Sequence, residues 1–308
     1  MMTDCTGWVS AEMREKILLA IDELGYRPNL AARQLRSGRS GMIALAIPDL
    51  REPYFAEFAS GFVATAQQRS LTVLVAQTRA DRGAELAMMS GHGFPALDGI
   101  VISPLCLTVE DLADRRSTTP LIVVGEQAEG LVGAAVHHVG IDNVSAAAAA
   151  TTHLIERGLR RIAVVGVQLS GPTATPRLRF EGCRRALDAA GIPIDPALFA
   201  TVGEFNRAEG SMAVQRLLDD GVEFDALFCF SDALALGALY TLGSQGIAVP
   251  GDVQVMGFDG IEEGRFHIPT FSTVDPGVEE AATTILGILS APQVTGTHHD
   301  VPFRVIAR

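Results

Sequence analysis

Residues that could do chemistry are few and scattered in this 308-residue chain. Its four cysteines, Cys5, Cys106, Cys183 and Cys229, stand far apart and form no C-x-x-C pair, so structural thiols in a reducing compartment are expected. Two histidine pairs, His137–His138 and His298–His299, the second followed by Asp300, are the nearest approach to a metal motif. Adjacent side chains on a strand point to opposite faces, which makes each pair a poor chelate; surface histidines and no metal are expected. No G-x-S-x-G elbow occurs and no serine or cysteine sits in a pattern that marks an activated nucleophile, so no catalytic residue is assigned and no enzyme is expected. The string GHGFPA, Gly91 to Ala96, fits G-x-G-x-x-A but precedes an apolar run instead of joining a strand to a helix. Phosphate binding needs the helix N-terminus after the strand, so no nucleotide cofactor is expected.

One segment does stand out chemically. From Tyr26 to Gly41 the chain reads YRPNLAARQLRSGRSG, with Arg27, Arg33, Arg36 and Arg39 and no acid, in a protein of net charge -12. Pro28 and Asn29 open a short helix there that places Leu35 among arginines and runs out at Gly38. Arginines neutralise phosphates while an apolar side chain can wedge between base steps in the minor groove. A solvated basic helix and linker explains the same spacing, and on spacing alone it is the stronger reading.

The elements around these residues follow from periodicity. Ser10 caps a first helix along which Met13, Ile17, Ile21 and Leu24 recur at helical spacing, with Gly25 as its stop. After Gly41 the texture changes to short apolar runs at 42–48, 71–76, 99–103, 121–125, 161–166, 226–230 and 253–258, separated by amphipathic helical patterns. Near-continuous apolar strands alternating with helices predict parallel sheets with helices on both faces. That many strands suit two α/β lobes better than one sheet, with crossings expected at 139–143 and 270–276. The chain is 48% apolar, long enough for two cores, and holds no run of about 18 apolar residues and no basic-then-apolar leader. A cytoplasmic protein with no membrane partner is expected.

The stretch VSAEMREKILLAIDELGYRPNLAARQLRSGRSGMIALAIPDL closely resembles the lactose/galactose repressor (LacI/GalR) family from its third DNA-domain helix, through the hinge helix, into the first strand of the sensor. The resemblance continues with DGIVISP at 98–104, IDN at 141–143, HLIERGLRRIAVVG at 153–166, TATPRLRFEGCRRAL at 173–187, SDALALGAL at 231–239 and VPGDVQVMGFDG at 249–260. It implies two doubly wound parallel-sheet lobes of periplasmic-binding-protein type behind a short helical DNA-hinge segment. The hinge segment would occupy 1–40 with its helix at about 29–37. The N-terminal lobe would take 41–141 plus about 275–290, and the C-terminal lobe 142–274 plus about 291–308.

Carried over residue by residue, the resemblance makes Leu35 the hinge leucine that enters the operator's minor groove, with Asn29 starting that helix and Arg33 and Arg36 beside it. It makes Arg177 the cleft arginine, whose planar fork suits a vicinal diol or an acid equally well. Asp259 becomes the cleft carboxylate, Phe205 a stacking ring, and Tyr54, Phe55, Thr173 and Ser231 further effector contacts. The implied function is repression of transcription by a homodimer that binds operator DNA and a small effector, a sugar or sugar derivative. The match is not complete. Relatives carry two more helices before VSAEMREK, where only MMTDCTGW stands here, so operator binding is expected only if a complete helix-turn-helix exists upstream. The alternative is a stand-alone small-molecule sensor without DNA binding. In MMSGHGFPALDG, at 88–99, two glycines and a proline predict a shortened helix.

Overall fold

In the computed structural model, which describes residues 10–24, 38–91, 93–94, 96–125, 136–168, 173–291 and 296–308, each apolar run becomes a strand. Asn29, Arg33, Leu35 and Arg36 lie outside the described residues, as does the hinge helix expected over about 29–37. The described chain begins with α1 (Ala11–Glu23), whose first turn is capped by Ser10: its hydroxyl accepts from the Met13 amide at 3.3 Å.

A first lobe follows with β1 (Met42–Ile47), α2 (Pro53–Gln68), β2 (Thr72–Gln77), α3 (Arg82–Ser90), β3 (Gly99–Ile102), α4 (Val109–Ala113), β4 (Leu121–Val124) and β5 (His137–Gly140). The second lobe contributes α5 (Asn143–Glu156), β6 (Ile162–Val167), α6 (Thr175–Ala189), β7 (Phe199–Thr201), α7 (Arg207–Asp219), β8 (Ala226–Cys229), α8 (Asp232–Ser244), β9 (Gln254–Met256) and α9 (Glu262–Phe266). The chain then returns through β10 (Thr273–Asp275), α10 (Val278–Ser290), β11 (His298–Asp300) and β12 (Arg304–Ile306).

The first lobe is a six-stranded parallel sheet in the order β11-β5-β4-β3-β1-β2, and the second a four-stranded parallel sheet in the order β7-β6-β8-β9. Strands β3, β4, β6 and β8 are buried along their whole length, as continuous apolar strands in a sheet covered on both faces must be. The antiparallel pair β10–β12 runs beside the second sheet, attached through a bridge between Met256 and Ser272. The lobes have separate apolar cores, one around β6 and β8, the others on the two faces of the first sheet. Where α7 crosses α8, a β-carbon at Gly237 would strike the Arg207 carbonyl oxygen, so only glycine lets these backbones approach. Helix α3 ends early, at Gly91 in the left-handed conformation with φ 73°.

Two expectations change here. The C-terminal tail does not belong wholly to the second lobe: β11, at 298–300, pairs with β5 and closes the edge of the first sheet, so the chain crosses between lobes after β5, after β10 and again after β11. The first histidine pair is not at the surface either, although His298 of the second pair is exposed and His299 half-buried. His137 and His138 are 7% and 4% exposed, and β11 brings His298 Nδ1 to 2.9 Å from His138 Nδ1 across the strand pair. Burial follows from the strand that covers them. Among the described residues no group of three or more His, Cys, Asp or Glu side chains is placed to hold a metal ion, and no helix is long and apolar enough to cross a membrane.

The chain enters the first lobe through a tight clasp. The Asp98 carboxylate accepts from the Ser40 amide at 2.7 Å, the Ser40 hydroxyl at 2.9 Å and the Gly41 amide at 2.9 Å. Beside it, the Arg39 guanidinium donates to the Leu289 carbonyl, in the last turn of α10, at 3.0 Å.

Candidate ligand-binding site

In open α/β sheets a crevice forms at the carboxyl ends of the strands, where the strand order reverses. The order reverses between β1 and β3 in the first lobe and between β6 and β8 in the second, and the two crevices face each other. They enclose a cavity of about 150 Å3. The first lobe lines it with Glu52, Tyr54, Phe55 and Phe58 after β1, and with Ser103 and Leu105 after β3. The second lobe supplies Asn143, Thr175, Arg179, Phe205, Ser231 and Asp259. Pro276, Val278 and Ala281, at the start of α10, complete the wall.

The polar floor centres on Arg179, which is 8% exposed. Its Nε donates to Asn143 Oδ1 at 2.9 Å, a terminal nitrogen donates to the Phe230 carbonyl, and Asp259 Oδ1 lies 3.8 Å away. The guanidinium also rests on the Phe258 ring, 3.4 Å from its centre. Asp259 has φ 116°, a region that favours glycine, and its amide donates to the Val274 carbonyl at 2.8 Å. Strain of this kind costs roughly 1–3 kcal/mol and persists where surrounding structure enforces it, commonly at binding sites. Burial lifts the Asp259 carboxyl to about 7, with the Arg179 charge opposing the rise. Behind it, Asp232 accepts from the Ile261 amide at 2.9 Å and the Thr273 hydroxyl at 2.7 Å. Burial raises Asp232 well above the usual carboxylate range, and the Asp259 charge pushes the same way.

The aromatic wall is equally ordered. Tyr54 and Phe55 meet edge to face at 5.2 Å, and Tyr54 and Phe58 lie 6.3 Å apart. Ser231 caps α8, its hydroxyl oxygen accepting from the Leu234 amide at 3.2 Å. At the rim, the Glu57 carboxylate of α2 reaches the second lobe, accepting from the Glu262 amide at 2.9 and 3.2 Å.

Of the residues expected at the site, Tyr54, Phe55, Phe205, Ser231 and Asp259 line the cavity, whereas Thr173 and Arg177 do not. Both expectations miss by two positions. Residues i and i+2 on a helix point about 200° apart, so when α6 turns Arg179 into the cleft, Arg177 faces solvent. Thr175 takes the wall position expected of Thr173.

A family model described as a periplasmic binding protein-like domain matches residues 151–308. The HTH-type transcriptional repressor CytR of Escherichia coli K12 is 32% identical over 294 residues, spanning 94% of this chain and 83% of that protein. A putative LacI-family transcriptional regulator from Sanguibacter keddieii superposes with a TM-score of 0.79 at 37% identity, covering 88% of this chain and 98% of that one. The chain belongs to the LacI family of transcriptional regulators. A further similar structure, of the transcriptional regulator CelR in complex with cellobiose, has a TM-score of 0.71 at 27% identity and covers 98% of this LacI-family chain and 92% of its own.

Two residues of this LacI-family cleft escape a reading of the sequence. Glu52 carries no side-chain cap to α2 and instead lines the cavity, its carboxyl raised by burial against the lowering effect of Arg207. Glu85, fully buried on α3, accepts from the amides of Leu105, Cys106 and Leu107 at 2.9, 2.9 and 3.0 Å and so fixes the loop that carries Ser103 and Leu105 into the wall. An isolated glutamate at the position of a core apolar residue is the one sequence feature that marks it.

Proposed function

We propose that this LacI-family protein is a repressor whose interlobe cleft binds a small sugar or sugar derivative, and that occupancy of the cleft controls operator binding by a cytoplasmic homodimer. The observation that carries this reading is the Arg179–Asp259 pair at 3.8 Å, with Asp259 held at φ 116° between two lobes that meet over it. Pairing a buried guanidinium with a strained carboxylate is costly unless the pair serves a ligand. Aromatic walls with a few polar anchors suit the apolar faces and hydroxyls of a sugar ring, and a relative of this chain is known in complex with cellobiose. A ligand that touches Asp259 on one lobe and Tyr54 on the other binds the closed arrangement better than the open one, and shifts the population by that difference alone. Asn29, Arg33, Leu35 and Arg36 are the proposed operator contacts, with Leu35 in the minor groove.

The test is fluorescence anisotropy of labelled promoter DNA from beside its own gene, with and without sugars first ranked by thermal shift against the wild type and Asp259→Ala. A sugar that stabilises only the wild type, and changes its affinity for DNA, supports the reading. A sugar that stabilises both proteins equally removes Asp259 from the site. One that saturates the cleft while leaving DNA affinity unchanged refutes effector control.

A further inference from the structure

The charges on the cleft wall do not balance. Among its lining residues the groups of formal charge are two carboxylates, Glu52 and Asp259, against a single guanidinium, Arg179. That guanidinium is already committed to Asn143, to the Phe230 carbonyl and to Asp259 itself. The two other cations that act on Glu52, Arg207 and Arg51, are each bound to a carboxylate of their own, Glu263 and Asp49, at 2.7 Å. The rim adds Glu57, whose carboxylate spans to the other lobe.

We propose that the cleft is built for a polyhydroxylated ligand bearing a protonated amine, seated between Asp259 and Glu52. This rests on the cleft being the effector site, and it decides between the diol and the acid that an arginine fork alone leaves open. An acid or phosphate would meet the surplus carboxylate of Glu52 and an arginine already paired with Asp259. An ammonium would make charge-assisted hydrogen bonds with both carboxylates and cancel the surplus. Hydroxyls of the same ligand would donate to Asp259 and pair with Ser231, while the ring lies on the Tyr54 and Phe205 walls. The acidic rim favours approach of a cation over an anion for the same reason.

Isothermal titration of the full chain with matched sets tests this: glucose, glucosamine and glucose phosphate, and the corresponding galactose set. The expected result is that an aminohexose binds about tenfold or more tightly than its parent hexose, that the phosphorylated member gives no heat of binding, and that Glu52→Gln abolishes the preference. A second measurement needs no ligand. Because Glu52 is part of an uncompensated surplus, Glu52→Gln raises the melting temperature of the free protein at about pH 8, where the carboxyl is ionised. Tightest binding by a phosphorylated member, or a lower or unchanged melting temperature for Glu52→Gln, overturns the proposal. Hexoses that bind without an amine preference overturn it too, but leave the repressor reading standing. Failure of every member of both sets overturns the amine proposal, while the repressor reading is decided by promoter anisotropy alone.

Discussion

Replacing Arg179 and Arg177 by methionine in separate proteins separates two arginines that stand two residues apart and differ in every physical respect. Arg179→Met removes a buried guanidinium that bonds Asn143 Oδ1 at 2.9 Å, bonds the Phe230 carbonyl, and holds the Asp259 carboxylate at 3.8 Å. Breaking a buried ion pair by deleting one partner costs roughly 3–5 kcal/mol, because the surviving charge is left without compensation. Asp259 can relieve part of this by taking up a proton, since its carboxyl already titrates at about 7. The lower end, about 3 kcal/mol, is therefore expected at neutral pH. For a chain of this size that corresponds to a melting temperature lower by about 5 °C. Arg177 faces solvent on the opposite side of α6, and its replacement should stay within about 0.5 kcal/mol. Urea unfolding followed by far-ultraviolet circular dichroism gives both values, provided the slopes agree. Equal losses, or a larger loss for Arg177→Met, would refute the assignment of the cleft arginine.

The raised carboxyl of Asp259 makes a pH-dependent prediction. Its folded pKa of about 7 lies above the ordinary 3.8, so the stabilisation of its protonated folded form is complete below 3.8 and lost as pH rises through 7. Asp259→Asn removes this titration, and its stability relative to the wild type should therefore rise by about 2 kcal/mol between pH 5 and 7 in parallel urea titrations; a flat difference would mean the carboxyl is not perturbed. Glu85→Ala leaves three amides of the 105–107 loop without their acceptor. Each such loss costs about 1–3 kcal/mol, and since the loop can turn partly to water a total near 3 kcal/mol is expected. A loss under about 0.5 kcal/mol would show that the loop holds its place without Glu85.

Long, continuous apolar segments were readable from sequence because burial on both faces leaves no other pattern open to them: the runs at 42–48, 121–125 and 226–230 coincide with β1, β4 and β8 to within a residue or two. Strands β7, β10, β11 and β12, three residues each and partly polar, carry no such signature. They exist because a neighbouring strand offers them a ladder, which is tertiary information. The site shows the same division. Aromatic residues after β1 and the aspartate after β9 are fixed by their place on strand ends. The choice between Arg177 and Arg179 depends on how α6 is rotated about its axis, set by packing of Gly182 against α5. The role of Glu85 was illegible, although its place in an apolar helix face marks it, because its partners lie twenty or more residues away.

Helix α10 begins in the cavity wall at Val278 and ends at the carbonyl that receives Arg39. Thirteen residues at about 1.5 Å each give a strut of about 20 Å, and a helix of that length is stiff. Its far end is boxed in as well: a β-carbon at Gly99, next to the Asp98 clasp, would collide with the Leu289 side chain. The described end of the arginine-rich segment, Arg39 to Gly41, is thus bolted to the same strut that walls the ligand chamber. There is little slack between the two ends, so the seat of that segment and the width of the chamber are set by one part.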